Sequence, residues 1–235
     1  MKIEFSFKVS IGIFFLVVLL CFGSLLVFQK KYVENADEIK ELSLKHSELL
    51  LKKQELEKYG HRTLEYFRIS KTLDKISGKK IPDATRKALA ERLMKLSQTY
   101  DIDPLLVLAI VLQESRGNPN TRGRYQSGAE SGAYGLMQLK IETAQTLGRI
   151  FGIRVETSED LMKPEVNMVL GIAYLMRLIG HYEDVRHAVI AYNLGQGKVD
   201  RLLAEGRKLP TKYYEGVMSK YRALEADLDK VFLEK

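Results

Sequence analysis

Glu114 is the residue of this sequence best placed for acid–base chemistry. It follows a run that is entirely apolar from Leu105 to Leu112. Apolar surroundings, and a position at the C-terminal end of a predicted helix, disfavour the charged carboxylate, so we expect a raised pKa. A carboxylic acid that stays protonated near neutral pH can act as a general acid. The competing interpretation is a surface glutamate paired with Arg116 or Lys140.

Other reactive side chains are few. Cys21 is the single cysteine and lies in an apolar run, which excludes an intrachain disulfide or a cysteine-based metal site. The four histidines form no His-Glu-x-x-His motif, and we interpret them as solvated or structural residues. The sequence therefore predicts chemistry without a metal or cofactor.

The net charge of +7 is unevenly distributed. Residues 1–80 contain 15 Lys+Arg and 10 Asp+Glu, so they account for +5. The chain totals of 37 and 30 then leave 22 and 20, or +2, for residues 81–235. A nucleic-acid-binding domain would carry its own basic face, so no nucleic-acid partner is expected. The excess suits a membrane-proximal segment better.

The N-terminus has the composition of a membrane anchor. No charged residue occurs from Val9 to Phe28, and twenty helical residues span about 30 Å, the thickness of a hydrocarbon core. A cleaved signal peptide is the alternative, but Leu20-Cys21-Phe22-Gly23-Ser24 is a poor cleavage site. We predict an uncleaved anchor over residues 1–31. Lysines flank both ends, so charge does not decide its orientation.

Residues 32–80 are predicted to form a charged helical stalk and linker. Leucines recur at sevenfold spacing, at Leu42, Leu49 and Leu56, but charged residues occupy much of the remaining seam. The pattern is compatible with a solvated amphipathic helix, or with a coiled coil that self-associates weakly. Gly60 is expected to interrupt the helix. Turn signals between Gly78 and Asp83 predict a domain boundary there.

The remaining residues, 81–235, predict a mainly α domain. Apolar periodicity, N-caps and prolines indicate helices over residues 84–100, 103–114, 141–148, 164–180, 184–193 and 212–230. The glycine-rich residues 117–135 are predicted to form a long loop. No run of alternating strand residues is evident, so any sheet should be minor.

Several short segments occur together in a distinctive order. They are Asp101-Ile102-Asp103-Pro104, Gln113-Glu114-Ser115, Gly135-Leu136-Met137-Gln138, Pro164-Glu165-x-Asn167 and Ala191-Tyr192-Asn193. Each is weak alone, but over residues 83–222 the set resembles the family 1 lytic transglycosylases of the soluble lytic transglycosylase (SLT) type. The resemblance implies a lysozyme-like fold. It also implies cleavage of peptidoglycan between N-acetylmuramic acid and N-acetylglucosamine without water, which leaves a 1,6-anhydromuramic end.

The resemblance implies that Glu114 is the sole catalytic acid/base. It would protonate the glycosidic oxygen and then accept the proton of the C6 hydroxyl as that oxygen attacks the anomeric carbon. Ordinary glycosidases use two carboxylates, roughly 5–9.5 Å apart. The helical separation of Asp103 from Glu114 is about 16 Å, which is too long for such a pair.

The resemblance also suggests substrate-binding residues, each with a structural alternative. Gln138 would contact sugar and Met137 would line the cleft, unless Met137 is simply core. Tyr192 would stack on a sugar ring and Asn193 would hold substrate, unless they are a buried ring and a turn residue. Ser115 would bond near the carboxylate or cap its helix.

Two further polar residues match the family less directly. Tyr214 fits a loose Thr-x-x-Tyr match from Thr211, in which the tyrosine hydroxyl can reach the glutamate. Asn167 is interpreted as a structural hydrogen bonder.

The sequence departs from the family pattern at two places. Gly117 stands where an aromatic residue is usual, and Thr121–Glu130 enlarges the loop after Glu114. If Glu130 lay opposite Glu114, the protein could be a hydrolytic, lysozyme-like muramidase. A peptidoglycan-binding scaffold of an envelope-spanning assembly is the second alternative. For any of these functions, the domain should face the periplasm or cell wall, tethered to the cytoplasmic membrane by a single pass.

Overall fold

The computed structural model describes residues 2–233, and the side chains of residues 15–230. It contains two compact units, Met1–His61 and Arg62–Lys235. Met1, the side chains of residues 2–14 in the predicted anchor, and the last two residues of the predicted domain lie outside the described part. The architecture is mainly α, as predicted.

The first unit is helical, within helix α1 (Lys2–Ser77). The segment from Phe15 is long and apolar enough to cross a membrane by length and composition, with a mean hydropathy of 1.7 over its most apolar window. None of that window is buried within the part of the chain that the structure describes. The Ser24 hydroxyl donates to the Cys21 carbonyl at 2.8 Å, which satisfies a polar group within the apolar stretch.

The predicted interruption at Gly60 is wrong, because α1 continues through this residue. A glycine within a helix costs only about 1 kcal/mol relative to alanine, which does not suffice to end a long helix. Ion pairs between residues one turn apart, such as Glu48 and Lys52 at 2.6 Å, lie on the exposed surface of α1. Self-association through the exposed leucines of the stalk stays a prediction.

The second unit begins with the last turns of α1. Ile69, Leu73 and Ile76 are buried in its core. A 3-10 turn (Gly78–Lys80) follows, and the Arg86 guanidinium fastens it by donating to the carbonyls of Gly78 and Ile81 at 2.9 and 2.6 Å. The compact unit therefore extends upstream of residue 81, while the domain limits at 80 and 81 stay a prediction.

Eight further helices build this unit in the described part of the chain. They are α2 (Asp83–Tyr100), α3 (Pro104–Glu114), α4 (Ile141–Phe151), α5 (Ser158–Met162), α6 (Pro164–Tyr182), α7 (Val185–Leu194), α8 (Gln196–Ala204) and α9 (Lys212–Leu233). The helices expected from apolar periodicity all form. Helices α5 and α8 were not predicted; α5, with five residues, is too short to show a clear periodic pattern.

Helix α3 is the centre of the core. Its residues Leu105–Val111 are all buried, and it packs mainly against α9, while α6 packs against α7. Asp103 caps α3 as predicted, because its carboxylate accepts the Leu105 N–H at 2.8 Å, and Pro104 occupies the first position. The cap and the buried run fix the helix whose last residue is Glu114.

The predicted loop over residues 117–135 instead contains most of a small antiparallel sheet. Its strands are β1 (Arg122–Arg124), β2 (Glu130–Tyr134) and β3 (Leu139–Lys140), in the order β1-β2-β3. The register shifts between β1 and β2, from Arg122 opposite Tyr134 to Arg124 opposite Glu130. Such irregular, short and glycine-rich strands lack the alternation by which a strand is recognised in sequence. The expectation that any sheet is minor is confirmed.

Candidate functional site

Glu114 is half-buried at the C-terminal end of α3. Burial raises the pKa of its carboxyl group, and a hydrogen bond donated by the Tyr213 hydroxyl to Oε1 opposes that increase in pKa. No ion pair joins Glu114 to Arg116 or Lys140 among the described contacts, which disfavours the surface-pair interpretation. Burial therefore favours the protonated carboxylic acid of Glu114, and the hydrogen bond from Tyr213 favours its carboxylate.

The tyrosine that reaches Glu114 is Tyr213 and not Tyr214, which corrects the sequence match. Both lie in the first turn of α9, but successive helical residues point about 100° apart, so only one faces α3. Tyr214 instead lies with its ring 5.7 Å from the Arg186 guanidinium, beside a separate apolar groove. Burial and the neighbouring Glu114 raise the pKa of Tyr213 well above its usual value, so its hydroxyl remains a donor.

Tyr192 forms part of a rigid wall next to Glu114. Its hydroxyl donates to the Met137 carbonyl at 2.9 Å, and its ring lies tilted against Tyr174 at 5.1 Å between centroids. Burial raises the pKa of the phenol well above its usual value. Only 8% of the residue is exposed, so Tyr192 presents a ring face or edge and not a free hydroxyl.

The loop between β2 and β3 places Gln138 at the site. Gln138 has φ of 49°, and its amide donates to the carbonyls of Thr121 and Gly135, both at 2.9 Å. Its side-chain oxygen is not used in those bonds. Met137, in contrast, is fully buried and packs against Gly171, so its predicted place in the cleft lining is wrong. Its apolar side chain fills the core, which was the alternative reading.

Asn167 forms hydrogen bonds to the loop between β2 and β3, in agreement with the prediction that it is a structural hydrogen bonder. It is completely buried on α6. Its amide donates to the carbonyls of Tyr134 and Leu161, both at 2.8 Å, and its oxygen accepts the Met137 N–H at 2.7 Å. One side chain therefore makes three hydrogen bonds to backbone groups around the segment that carries Gln138, two of them buried.

Ser115 and Asn193 differ in their environment. Ser115 is buried, and its hydroxyl donates to the Val111 carbonyl at 3.1 Å, so it completes the end of α3. Asn193 is exposed near the end of α7 and lines the same cleft as Glu114. The structure thus brings Glu114, Gln138, Tyr192 and Asn193 together, and places Ser115 behind them.

These residues line a cleft of about 650 Å³. Its other walls come from Tyr174 on α6 and from the enlarged loop, which contributes Thr121–Tyr125 and continues into β2 with Ser131 and Ala133. Glu114 is the only carboxylate among the described lining residues; Glu130 is exposed and lies outside the lining. Among residues with described side chains, no cluster of three His, Cys, Asp or Glu is arranged to hold a metal ion.

Sequence reasoning missed three features of the site. Tyr213 is adjacent to Tyr214, the residue that the sequence match selected. The Tyr-Tyr pair near the start of α9 is a signal that one ring faces inward, but it does not indicate which one. Tyr174, which follows Gly171 by three residues, was not assigned a role. The place of Arg124 in the cleft lining became apparent only once the sheet was known.

Comparison with known proteins identifies a family match over the same region. The profile of the Transglycosylase SLT domain family matches residues 92–214. The chain is 36% identical over 124 residues to the "Endo-type membrane-bound lytic murein transglycosylase A" of Salmonella paratyphi B, covering 48% of this chain and 58% of the relative. The protein of that name from Salmonella typhimurium gives the same values. The chain thus spans 58% of the length of these curated relatives.

Two solved structures are also similar. An inactive mutant of the lytic transglycosylase Slt from Pseudomonas aeruginosa matches with a TM-score of 0.47 and 28% identity, over 58% of this chain and 24% of that one. The 70 kDa soluble lytic transglycosylase from Escherichia coli matches with a TM-score of 0.45 and 21% identity, over 62% and 28%.

Proposed function

Because this chain belongs to the Transglycosylase SLT domain family, we propose that it is a peptidoglycan lytic transglycosylase in which Glu114 is the single acid/base. The family membership agrees with the mainly α, lysozyme-like fold class expected from the sequence. The observation that carries the proposal is the cleft itself, which has Glu114 as its only lining carboxylate among the described residues. The relatives named as lytic murein transglycosylases support the choice of substrate.

In the first step, protonated Glu114 donates its proton to the glycosidic oxygen as the bond from the anomeric carbon to that oxygen breaks. Burial raises the pKa of Glu114 and so favours the protonated form that this step needs. The departing sugar leaves as an alcohol and Glu114 becomes a carboxylate. The N-acetyl group of the muramic acid is expected to stabilise the positive charge at the anomeric carbon.

In the second step, the carboxylate of Glu114 accepts the proton of the muramic C6 hydroxyl while that oxygen bonds to the anomeric carbon. The product is a 1,6-anhydro ring, and Glu114 returns to its protonated form without consuming water. Tyr213 stabilises the carboxylate between the steps, because its hydroxyl donates to Oε1. Burial thus favours the protonated form of Glu114 used in the first step, and Tyr213 favours the carboxylate used in the second.

The cleft walls position the sugars in this proposal. Tyr192 and Tyr174 supply aromatic surface, while Gln138 and Asn193 supply amides for hydroxyl and N-acetyl groups. Ser115 and Met137 act behind the surface, by ending α3 and by filling the core beneath Gln138. The muramidase alternative requires Glu130 opposite Glu114, and its absence from the described cleft lining disfavours that alternative.

We further propose that α1 anchors the enzyme as a single pass and that the domain faces the periplasm or cell wall. The apolar N-terminal segment and the membrane-bound relatives support the anchor. The orientation follows from the location of peptidoglycan. A reporter fused after the domain should be active outside the cytoplasm, and activity only inside would contradict the orientation.

The test of function is digestion of purified peptidoglycan by the full chain and by Glu114→Gln, followed by product mass. We expect anhydro ends, lighter than hydrolysed ends by one water, and loss of at least about a thousandfold in rate for Glu114→Gln. Glu130→Gln is the matched control and should retain activity. Reducing ends only, or an active Glu114→Gln variant, would overturn the proposal.

A further inference from the structure

Residues 62–80, here called the brace, belong to the second compact unit although they lie upstream of the family domain. The family profile begins at residue 92, whereas the compact unit begins at Arg62. The Asp74 carboxylate of the brace pairs with Arg86 of α2 at 2.7 Å, and the Arg86 side chain is only 18% exposed. The brace is therefore an integral part of this unit and not only a connection to the stalk.

The end of the brace contacts the turn that directly follows Glu114. The Lys80 ammonium donates to the Arg116 carbonyl at 2.8 Å. At the next position, the Ile76 carbonyl lies so close to Gly117 that a Cβ atom there would be 2.3 Å from its oxygen. Two successive residues of the turn after α3 thus have partners in the brace.

The conformation of this turn requires such a partner. Arg116 and Gly117 have φ of 53° and 71°, in the left-handed region that a residue with a Cβ atom rarely adopts. Carbonyls at the end of a helix lack intrahelical partners, and a lysine can supply one while its charge complements the negative end of the helix dipole. Among the described hydrogen bonds, Lys80 alone donates to the Arg116 carbonyl.

The brace also contacts α9, the helix whose Tyr213 hydroxyl donates to Glu114. Lys75 forms an ion pair with Asp227 of α9. Both side chains are exposed, so this pair adds little to stability. Both elements that supply the hydrogen bond between Tyr213 and Glu114 therefore contact the brace, and Lys80 makes the contact nearer to the carboxyl group in sequence.

We propose that Lys80 is a positioning residue that holds the turn after α3 so that Glu114 faces Tyr213. This inference rests on the proposed function. Neither Lys80 nor Arg116 is among the described residues that line the cleft, so Lys80 acts through Glu114 and not on the sugar. Displacement of a catalytic group by about 1 Å, through a change away from the site, can reduce the rate about a hundredfold. Loss of one exposed donor should have a smaller effect of the same kind.

The test is the digestion of purified peptidoglycan by the full chain and its Lys80 variants. Lys80→Met removes the donor and should lower kcat about fivefold with KM changed less than about twofold. The alkaline limb of the pH profile of kcat should move to higher pH, because Tyr213 would then stabilise the Glu114 carboxylate less. Lys80→Arg, which keeps a cationic donor, should recover most of kcat.

Lys79→Met is the matched control. Lys79 is exposed and makes no described hydrogen bond or ion pair, so this variant removes the same charge one position away. It should leave kcat and the pH profile unchanged. If Lys79→Met matched Lys80→Met, the effect would be one of general charge and the inference would be wrong. Thermal melting of each variant should show a folded protein at the assay temperature; a decrease in kcat that only followed the folded fraction would also overturn the inference.

A double-mutant cycle tests whether Lys80 acts through the pair of Glu114 and Tyr213. In the Tyr213→Phe background, Lys80→Met should lower kcat less than about twofold, because the hydrogen bond that it supports is already absent. The same fivefold loss in both backgrounds would refute the positioning role. Anhydro products from the wild type with an unchanged kcat for Lys80→Met would refute this inference alone, whereas absence of anhydro products from the wild type would refute the proposed function.

Discussion

Substitution of Gly117 by alanine should destabilise the domain for two reasons, backbone strain at a positive φ and overlap of the new Cβ atom with the backbone of Ile76. Gly117 is buried with φ of 71°, three residues after Glu114. A Cβ atom there would lie 2.3 Å from the Ile76 carbonyl oxygen and 2.7 Å from its carbon. The end of α1 therefore occupies the space that an aromatic side chain would need, which accounts for the departure from the family pattern.

The backbone strain of a non-glycine residue in this conformation is about 1–2 kcal/mol. The overlap is with backbone atoms, which cannot rotate aside, and overpacking of this kind typically costs about 1–3 kcal/mol. The sum is about 2–5 kcal/mol. For a unit of this size, 1 kcal/mol shifts Tm by about 2–4 °C, so we expect Gly117→Ala to lower Tm by about 4–20 °C.

Gly152→Ala provides the matched control, measured alongside by calorimetry of the full chain. Gly152 has φ of 66° but no atom within 4 Å of its would-be Cβ, so the substitution introduces the strain without the overlap. Its Tm should fall by only about 2–8 °C, less than that of Gly117→Ala measured in parallel. Equal Tm values for the two variants would show that Ile76 does not confine Gly117, and the reasoning would fail.

Three further predictions follow from the site. Tyr213→Phe removes the hydrogen bond that lowers the pKa of Glu114, so the alkaline limb of the pH profile of kcat/KM should move to higher pH and kcat should fall by about tenfold or more, whereas Tyr214→Phe should change neither. Because burial raises the pKa of Glu114 in the folded state, its contribution to stability is present below the unfolded pKa and is lost as pH rises through the folded pKa. Glu114→Gln should therefore have a higher urea midpoint than wild type near pH 7.5, with the difference disappearing toward about pH 4; a constant difference would contradict this sign. Asn167→Ala removes three hydrogen bonds to backbone groups, two of them buried, and should lower the free energy of unfolding by roughly 3–5 kcal/mol; a loss under about 1 kcal/mol in urea titration would contradict its assigned role.

Local sequence signals were sufficient for the elements whose stabilising interactions are themselves local. The Asp103-Pro104 start and the apolar run specified α3, and with it the place of Glu114 at a helix end in apolar surroundings. The polar character of Asn167 within an apolar helix indicated a structural hydrogen bonder, which the structure confirms.

Tertiary contacts decided the features that sequence reasoning missed. Which of Tyr213 and Tyr214 faces Glu114 depends on how α9 packs against α3, and the burial of Met137 depends on the open space at Gly171. The role of Gly117 depends on Ile76, which lies 41 positions upstream in a segment that seemed to be linker. None of these contacts leaves a pattern within a short window.

The lone acid/base mechanism predicts that solvent oxygen never enters the product. The most direct test is digestion of peptidoglycan by the full chain in water enriched in the heavy oxygen isotope, with mass spectrometry of the new glycan ends. We predict 1,6-anhydro ends that carry no heavy oxygen. New reducing ends that carry the heavy isotope would contradict the central claim, because they would show that water attacks the anomeric carbon.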